Sequence, residues 1–289
     1  MKTLDLTWRG HRLQLGRRTH IMGILNVTPD SFSDGGRFFD PEAALDRAES
    51  MIAEGADIID IGGESSRPFS EPVAADEEAR RVVPIIEHLA PTISVPISID
   101  TTKSEVARRA MTAGAAIIND ISAGGFDPEM GRVAAETGAL FVLMHMKGTP
   151  KTMQKNPVYS DLIGEICDYL ETAINTAEAA GVDRQNLIVD PGIGFGKTVS
   201  HNLEIIQKID QFHRIGAPVM LGPSRKAFIR NILADPEQKA PEADDPIVSI
   251  GTQAAAAAAV RSGVHIIRVH DVAATRTTVK IVDAVRNQP

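Results

Sequence analysis

Eight short aliphatic runs, each closing on a polar or glycine residue, recur along the chain and restrict what it can fold into. They are Ile24-Leu25-Asn26, Ile58-Ile59-Asp60-Ile61-Gly62-Gly63, Ile97-Ser98-Ile99-Asp100, Ile117-Ile118-Asn119-Asp120, Val142-Leu143-Met144-His145, Leu187-Ile188-Val189-Asp190, Val219-Met220-Leu221-Gly222 and Ile266-Ile267-Arg268-Val269-His270. Each is too short for a helix and nearly continuous in apolar character, as parallel strands covered on both faces require. Segments of helical period separate them, among them Pro41 to Glu54, Ser104 to Ala113 and Leu162 to Ala180. Eight alternations in 289 residues predict one α/β domain, a closed (β/α)8 TIM barrel, because eight parallel strands can share one core and leave no exposed edge. An open doubly wound sheet is the competing architecture, and it would gather strand-end residues only at a topological switch point. Leu4 to Trp8 and His11 to Leu15 flank Arg9-Gly10 and read as a β-hairpin within residues 1–18, positioned to plug the barrel bottom.

The formal net charge of −8 argues against a nucleic-acid partner, because a phosphate backbone demands a basic face. The single cysteine, Cys167, supplies neither a disulfide framework nor a thiolate cluster. No apolar stretch is long enough to span a bilayer, and the start Met1-Lys2-Thr3-Leu4-Asp5 lacks a signal-peptide core, so a cytoplasmic protein without a membrane partner is expected.

In a barrel, catalytic groups belong at the C-terminal strand ends. Asp100, Asn119 and Asp190 close three different strands and would converge from separate walls. Two carboxylates and an amide can read an edge of ring N–H, exocyclic amine and carbonyl, as a 2-amino-4-oxo heterocycle presents. Glycoside hydrolysis is the other chemistry of paired carboxylates, but the one tryptophan stands in the hairpin, away from these strand ends. Simple capping of the next helix is the bland alternative for any one of the three.

Lys226, in Gly222-Pro223-Ser224-Arg225-Lys226, stands near a helix start, where a cation opposes the dipole and needs another reason to be present. It can donate to ring acceptors or hold an anion. Arg268 and His270 alternate with Ile267 and Val269, so both point toward the lumen or its mouth. Guanidinium there implies an anionic or flat partner, since it pairs with phosphate and stacks on rings; an internal pair with Asp271 or a glutamate is the alternative. The glycines of Asp190-Pro191-Gly192-Ile193-Gly194-Phe195-Gly196-Lys197 leave a bare backbone that a flat ligand could approach. Asn26, with oxygen from a bound diphosphate, would suit Mg2+. The loops Asn26 to Gly36 and Gly63 to Ser70 have the make of segments that close over a ligand. His145 reads as a hydrogen-bonded packing residue.

Four of these segments closely resemble the dihydropteroate synthase family of pterin-binding barrels: Met22 to Gly36, Asp190 to Lys197, Ser224-Arg225-Lys226 and Arg268-Val269-His270-Asp271. The resemblance extends from Ile21 to the strand holding His270. It implies condensation of 6-hydroxymethyl-7,8-dihydropterin diphosphate with 4-aminobenzoate, giving 7,8-dihydropteroate and diphosphate, with sulfonamides competing for the second substrate. It further implies that Asp100, Asn119, Asp190 and Lys226 hold the pterin and that Arg268 stacks on the ring and reaches phosphate. Asn26, through magnesium, and His270 would bind the diphosphate. Ser66, Arg67, Phe32, Pro68, Phe195 and Ser224 would shape the aminobenzoate pocket, Asp34 would order the closed loops, and a homodimer is expected. The sequence departs from the family pattern at Ser66, usually Thr, at Phe69, usually Gly, and at Ala227, often Ser.

Two other readings compete. A methyltetrahydrofolate-dependent corrinoid methyltransferase would share the Asp and Asn contacts but needs no diphosphate, so the Arg268 and His270 pair argues against it. A non-catalytic pterin-binding protein would show degraded loops, whereas Asn26, Asp34 and Arg67 are all present.

Overall fold

A computed structural model of the chain describes residues 3–27, 41–65, 72–235 and 239–288. The hairpin strands β1 (Leu4–Trp8) and β2 (His11–Leu15) precede eight parallel strands: β3 (His20–Asn26), β4 (Ile58–Gly62), β5 (Ile97–Asp100), β6 (Ile117–Asp120), β7 (Leu140–Met144), β8 (Leu187–Asp190), β9 (Met220–Leu221) and β10 (Ile266–Val269). The helices α1 (Pro41–Glu54), α2 (Ala75–Leu89), α3 (Ser104–Ala113), α4 (Met130–Thr137), α5 (Leu162–Ala179) and α6 (Val199–Gln207) follow β3 to β8 in turn. Both α7 (Ala227–Leu233) and α8 (Pro246–Arg261) follow β9, and α9 (Val272–Arg286) follows β10. Strand order is β8-β7-β6-β5-β4-β3-β10-β9, and a parallel bridge between Val189 and Val219 joins the two ends, so the barrel closes. The open-sheet alternative is thereby removed.

The two-residue period of the strands divides the core. Outward residues such as Ile21, Leu25, Ile59, Ile61, Ile99, Phe141, Leu143, Val189 and Val269 pack against the helices. Inward residues Met22, Ile58, Ile117, Leu140, Val142, Ile188, Met220 and Ile266 form a second cluster, which Leu6, Trp8, Leu13 and Leu15 of the hairpin complete. Trp8 Nε1 donates to Ala116 O at 2.8 Å, just before β6. The hairpin therefore seals the end of the barrel where the strands begin, as its alternating pattern predicts.

Helix ends are set by local chemistry. Asp161, Thr198 and Asp271 cap α5, α6 and α9 through their side chains, and α3 and α4 stop at Gly114 and Gly138 in left-handed backbone. None of the strand-end residues Asp100, Asn119 and Asp190 is a helix N-cap, so the capping alternative fails for all three.

Candidate active site at the polar end of the barrel

Two residues past the apolar layer, the same inward face turns polar. Register puts Asn26, Gly62, Asp100 and Asn119 side by side on β3, β4, β5 and β6, while Asp190 ends β8 and Arg268 lies on β10. Arg268 Nε donates to Asp60 Oδ2 and its Nη2 to Asp100 Oδ2, each at 2.6 Å. Asn119 Nδ2 donates to the same Asp60 oxygen at 3.0 Å. Four side chains from four strands thus form one connected group, and the distant acids and the guanidinium do meet.

Asp60 is the residue that sequence reasoning missed. It is fully buried, anchors both Arg268 and Asn119, and keeps one oxygen, Oδ1, without a hydrogen-bond partner. The signal was present: an acid between Ile59 and Ile61, in phase with the inward-facing Ile58. Arg268 thus carries an internal ion pair, formed with Asp60 and Asp100 rather than with Asp271 or a glutamate.

Asp190 Oδ1 accepts from Gly192 N at 2.6 Å. Lys226 extends over the Phe195 ring, with Nζ 3.9 Å from its centroid. Met144, Met146, Met153 and Phe195 form an apolar cluster beside these groups, with Ile121 against it. Ser224 Oγ contacts His270 Nδ1 at 2.9 Å, and Arg47 Nη2 from α1 donates to His270 O at 3.0 Å. A cavity of about 320 Å³ opens beside Asp100, lined by Glu64, Thr101, Lys103, Ile121, Phe126 and Pro150; of the acids, amide and cations described above only Asp100 borders it, so it adjoins their cluster rather than containing it.

The glycine-rich loop after β8 is packed closely against protein. A Cβ on Gly192 would lie 1.9 Å from His145 O, and one on Gly196 would lie 2.4 Å from Lys147 O, both at positive φ. At these two positions the bare backbone is filled by the segment that follows β7, while a Cβ on Gly194 would lie 2.9 Å from Cδ of Lys226.

Burial governs the ionisation of the site. It raises Asp190 to about 6, against the Gly192 N–H and the charges of Lys226, Lys197 and Arg268. It likewise raises Asp100 against the pull of Arg268, with Asp60 adding to the rise. Burial lowers Lys226 to about 8, with Arg268 adding to the fall. For Arg268 burial works against the charge, but Asp60 and Asp100 together hold its pKa above the ordinary value. Perturbation of several groups in one concave place marks a functional centre.

Residues 22–270 match the family of pterin binding enzymes. The chain is 46% identical over 270 residues to the dihydropteroate synthase of a Synechocystis strain, covering 93% of this chain and 91% of that relative. It is 44% identical over 266 residues to the dihydropteroate synthase of Escherichia coli, covering 92% and 91%. The chain belongs to the dihydropteroate synthase family. It is a transferase of folate biosynthesis. Its fold matches the Yersinia pestis dihydropteroate synthase solved with a sulfonamide drug complex, with TM-score 0.88 and 42% identity over 98% of this chain and 99% of that one. It matches equally the Xanthomonas albilineans enzyme solved with 4-aminobenzoic acid, with TM-score 0.88 and 40% identity over 100% of both chains.

Of the residues that the family resemblance singles out, the structure places Asn26, Asp100, Asn119, Asp190, Phe195, Ser224, Lys226, Arg268 and His270 around the polar end of the barrel. Phe32, Asp34, Ser66, Arg67 and Pro68 lie outside the described residues, as does Phe69.

Proposed function

We propose that this chain carries out the family reaction, joining 6-hydroxymethyl-7,8-dihydropterin diphosphate to 4-aminobenzoate, with the pterin bound among Asp100, Asn119, Asp190 and Lys226. The connected group of Asp60, Asp100, Asn119 and Arg268 carries this reading, because it puts acceptors and donors for a 2-amino-4-oxo edge beside an apolar wall. Asp190 accepts from ring N–H and amine groups when ionised, and the Lys226 ammonium donates to ring oxygen and nitrogen.

The leaving diphosphate develops charge as its C–O bond breaks. Arg268 and His270, fixed by Asp60 and Ser224, face that charge with geometry set before reaction, which lowers the barrier without reorganisation. The amine of 4-aminobenzoate then attacks the pterin-stabilised cation, and exclusion of water from the site protects the cation from hydrolysis. No nucleophilic side chain is required.

Mg2+ would suit this site as an ion held jointly by protein and substrate: the Asn26 amide oxygen, a hard donor at the end of β3, would hold it together with diphosphate oxygen. Bound there, the ion supplies charge neutralisation on the leaving group.

Among the described residues no helix is long and apolar enough to cross a membrane. A cytoplasmic location suits folate-precursor chemistry and the free, buried Cys167. A homodimer is supported by Ile247 and Ile250 on α8 and Ile281 and Val285 on α9, which leave apolar surface exposed on neighbouring helices; light scattering tests it. The reaction is tested by formation of 7,8-dihydropteroate, expected only when both substrates and Mg2+ are present. Diphosphate release without 7,8-dihydropteroate when both substrates are supplied would refute the condensation, and methyl transfer from methyltetrahydrofolate would favour the corrinoid reading.

A further inference from the structure

Lys197, the last residue of the glycine-rich motif, is a cation that the reaction as described leaves unused. It is 3% exposed, and its Nζ lies 2.9 Å from His145 Nδ1, 3.0 Å from Phe195 O and 3.5 Å from His145 O. Three acceptors meet the three N–H groups of one ammonium, and none of them is a carboxylate. His145 is held in turn: its ring stands edge-on to Tyr169, with centroids 4.8 Å apart, and its backbone N donates to Asp190 O at 2.9 Å. Tyr159 closes the far side of the loop by donating its hydroxyl to Gly196 O at 2.8 Å.

A buried ammonium held by neutral acceptors, with the nearby Asp190 carboxylate favouring its charge from beyond hydrogen-bond reach, is costly, and an apolar side chain would fill the same space at lower cost. What the ammonium does that a methyl group cannot is tie the backbone carbonyl of Phe195 to the end of β7. Phe195 supports the Lys226 ammonium on its ring, and Asp190 stands at the root of the same loop. We propose that Lys197 and His145 form a buried latch whose role is to position Phe195, and through it Lys226, together with Asp190, for the pterin; this rests on the pterin reading of the site. The hydrogen-bond partners of Lys197 Nζ are all protein groups of this loop and the end of β7, so we assign both residues a positioning role. Burial and then the Lys197 charge push His145 down to about 2, so its imidazole is neutral and an acceptor, while burial also pulls Lys197 well below its ordinary value and the nearby Asp190 carboxylate opposes that fall.

The sequence pattern agrees. Gly192 and Gly196 let the loop press onto residues 145–147 closely enough for the ammonium to reach three acceptors at once. A loop needed only for packing would not require a charge at its buried end.

The test is steady-state kinetics of the full-length enzyme with the pterin diphosphate varied at saturating 4-aminobenzoate and Mg2+. A latch acting on pterin placement raises KM for the pterin diphosphate about tenfold in Lys197→Met while kcat stays within about threefold. Loss of folded enzyme alone would lower kcat and leave KM where it was. Lys197→Arg, which retains donors, is expected to recover most of the loss. His145→Leu should raise KM as Lys197→Met does, His145→Gln, which keeps an acceptor, should stay within about twofold of wild type, and the double variant Lys197→Met with His145→Leu should be no worse than either alone. Should Lys197→Met fail to fold, the contrast between His145→Leu and His145→Gln decides the matter. Wild-type KM in Lys197→Met, or in His145→Leu, overturns the latch while leaving the condensation intact. Absence of product from the wild-type enzyme overturns both.

Discussion

At the end of the barrel where the strands begin, the inward residues are Met22, Ile58, Ile117, Leu140, Ile188 and Ile266; two residues further along the same strands stand Asp60, Asn119, Asp190 and Arg268. The first layer is dry, packed and covered by Trp8 and its hairpin. The second is buried as deeply in places, but with carboxylates, an amide and cations. One alternation thus generates both, and the difference lies in where the favourable free energy goes. Burying apolar area contributes about 25 cal/mol per Å² to stability. Burying charge costs stability, yet it leaves dipoles and charges fixed where a reaction needs them. The lower layer holds the fold together, and the upper layer draws on that stability.

The sharpest break of this contrast comes from the hairpin. Trp8→Ala should cost about 3–5 kcal/mol in urea denaturation, as large aromatic truncations do, while the folded enzyme keeps kcat within about twofold. A large loss of turnover at full folding would show that the sealed end takes part in function. The complementary change is Asp190→Asn. Because burial raises the pKa of this carboxyl to about 6, holding it ionised at neutral pH costs stability, and the variant should be at least as stable as wild type. Its kcat/KM for the pterin diphosphate should fall by about 30-fold, as loss of a charged hydrogen-bond acceptor predicts.

The pH profile sharpens the comparison within the upper layer. Binding of the pterin requires Asp190 ionised and Lys226 protonated, so kcat/KM should be highest between about 6 and about 8, with Asp100, which burial also raises, titrating within that window. It should fall by about tenfold per unit below that window as the carboxylate gains a proton, and above it as the ammonium loses one. A profile flat from pH 5 to pH 9 would remove both groups from substrate binding. The smallest effect is expected where the sequence departs from its family at Phe69: Phe69→Gly should change sulfonamide affinity by about three- to tenfold, measured by calorimetry, with turnover retained. Equal affinity would show that the bulk of Phe69 is immaterial.

Much of the site was legible because strands advertise direction. Arg268 and His270 two residues apart, and acids at the ends of Ile97-Ser98-Ile99-Asp100 and Leu187-Ile188-Val189-Asp190, fix which residues face inward without any tertiary information. The long motifs around Asn26 and Asp190 carried the family. Asp60 escaped because it sits inside an aliphatic run rather than at its end, and Lys197 because a terminal lysine of a glycine motif looks like a solvated one. The purpose of Gly192 and Gly196 was likewise hidden, since the backbone they accommodate is about 50 residues away in sequence.

The sequence by itself determined the number of βα units, the inward and outward faces, the hairpin and the chemical character of the barrel mouth, all of which follow from local periodicity. Only the tertiary structure decided who holds whom: Arg268 pairs with Asp60, 208 positions away, and Lys197 with His145, 52 positions away. Closure of the barrel sets those partnerships through strand stagger, a property of all eight strands together that no single stretch of residues encodes.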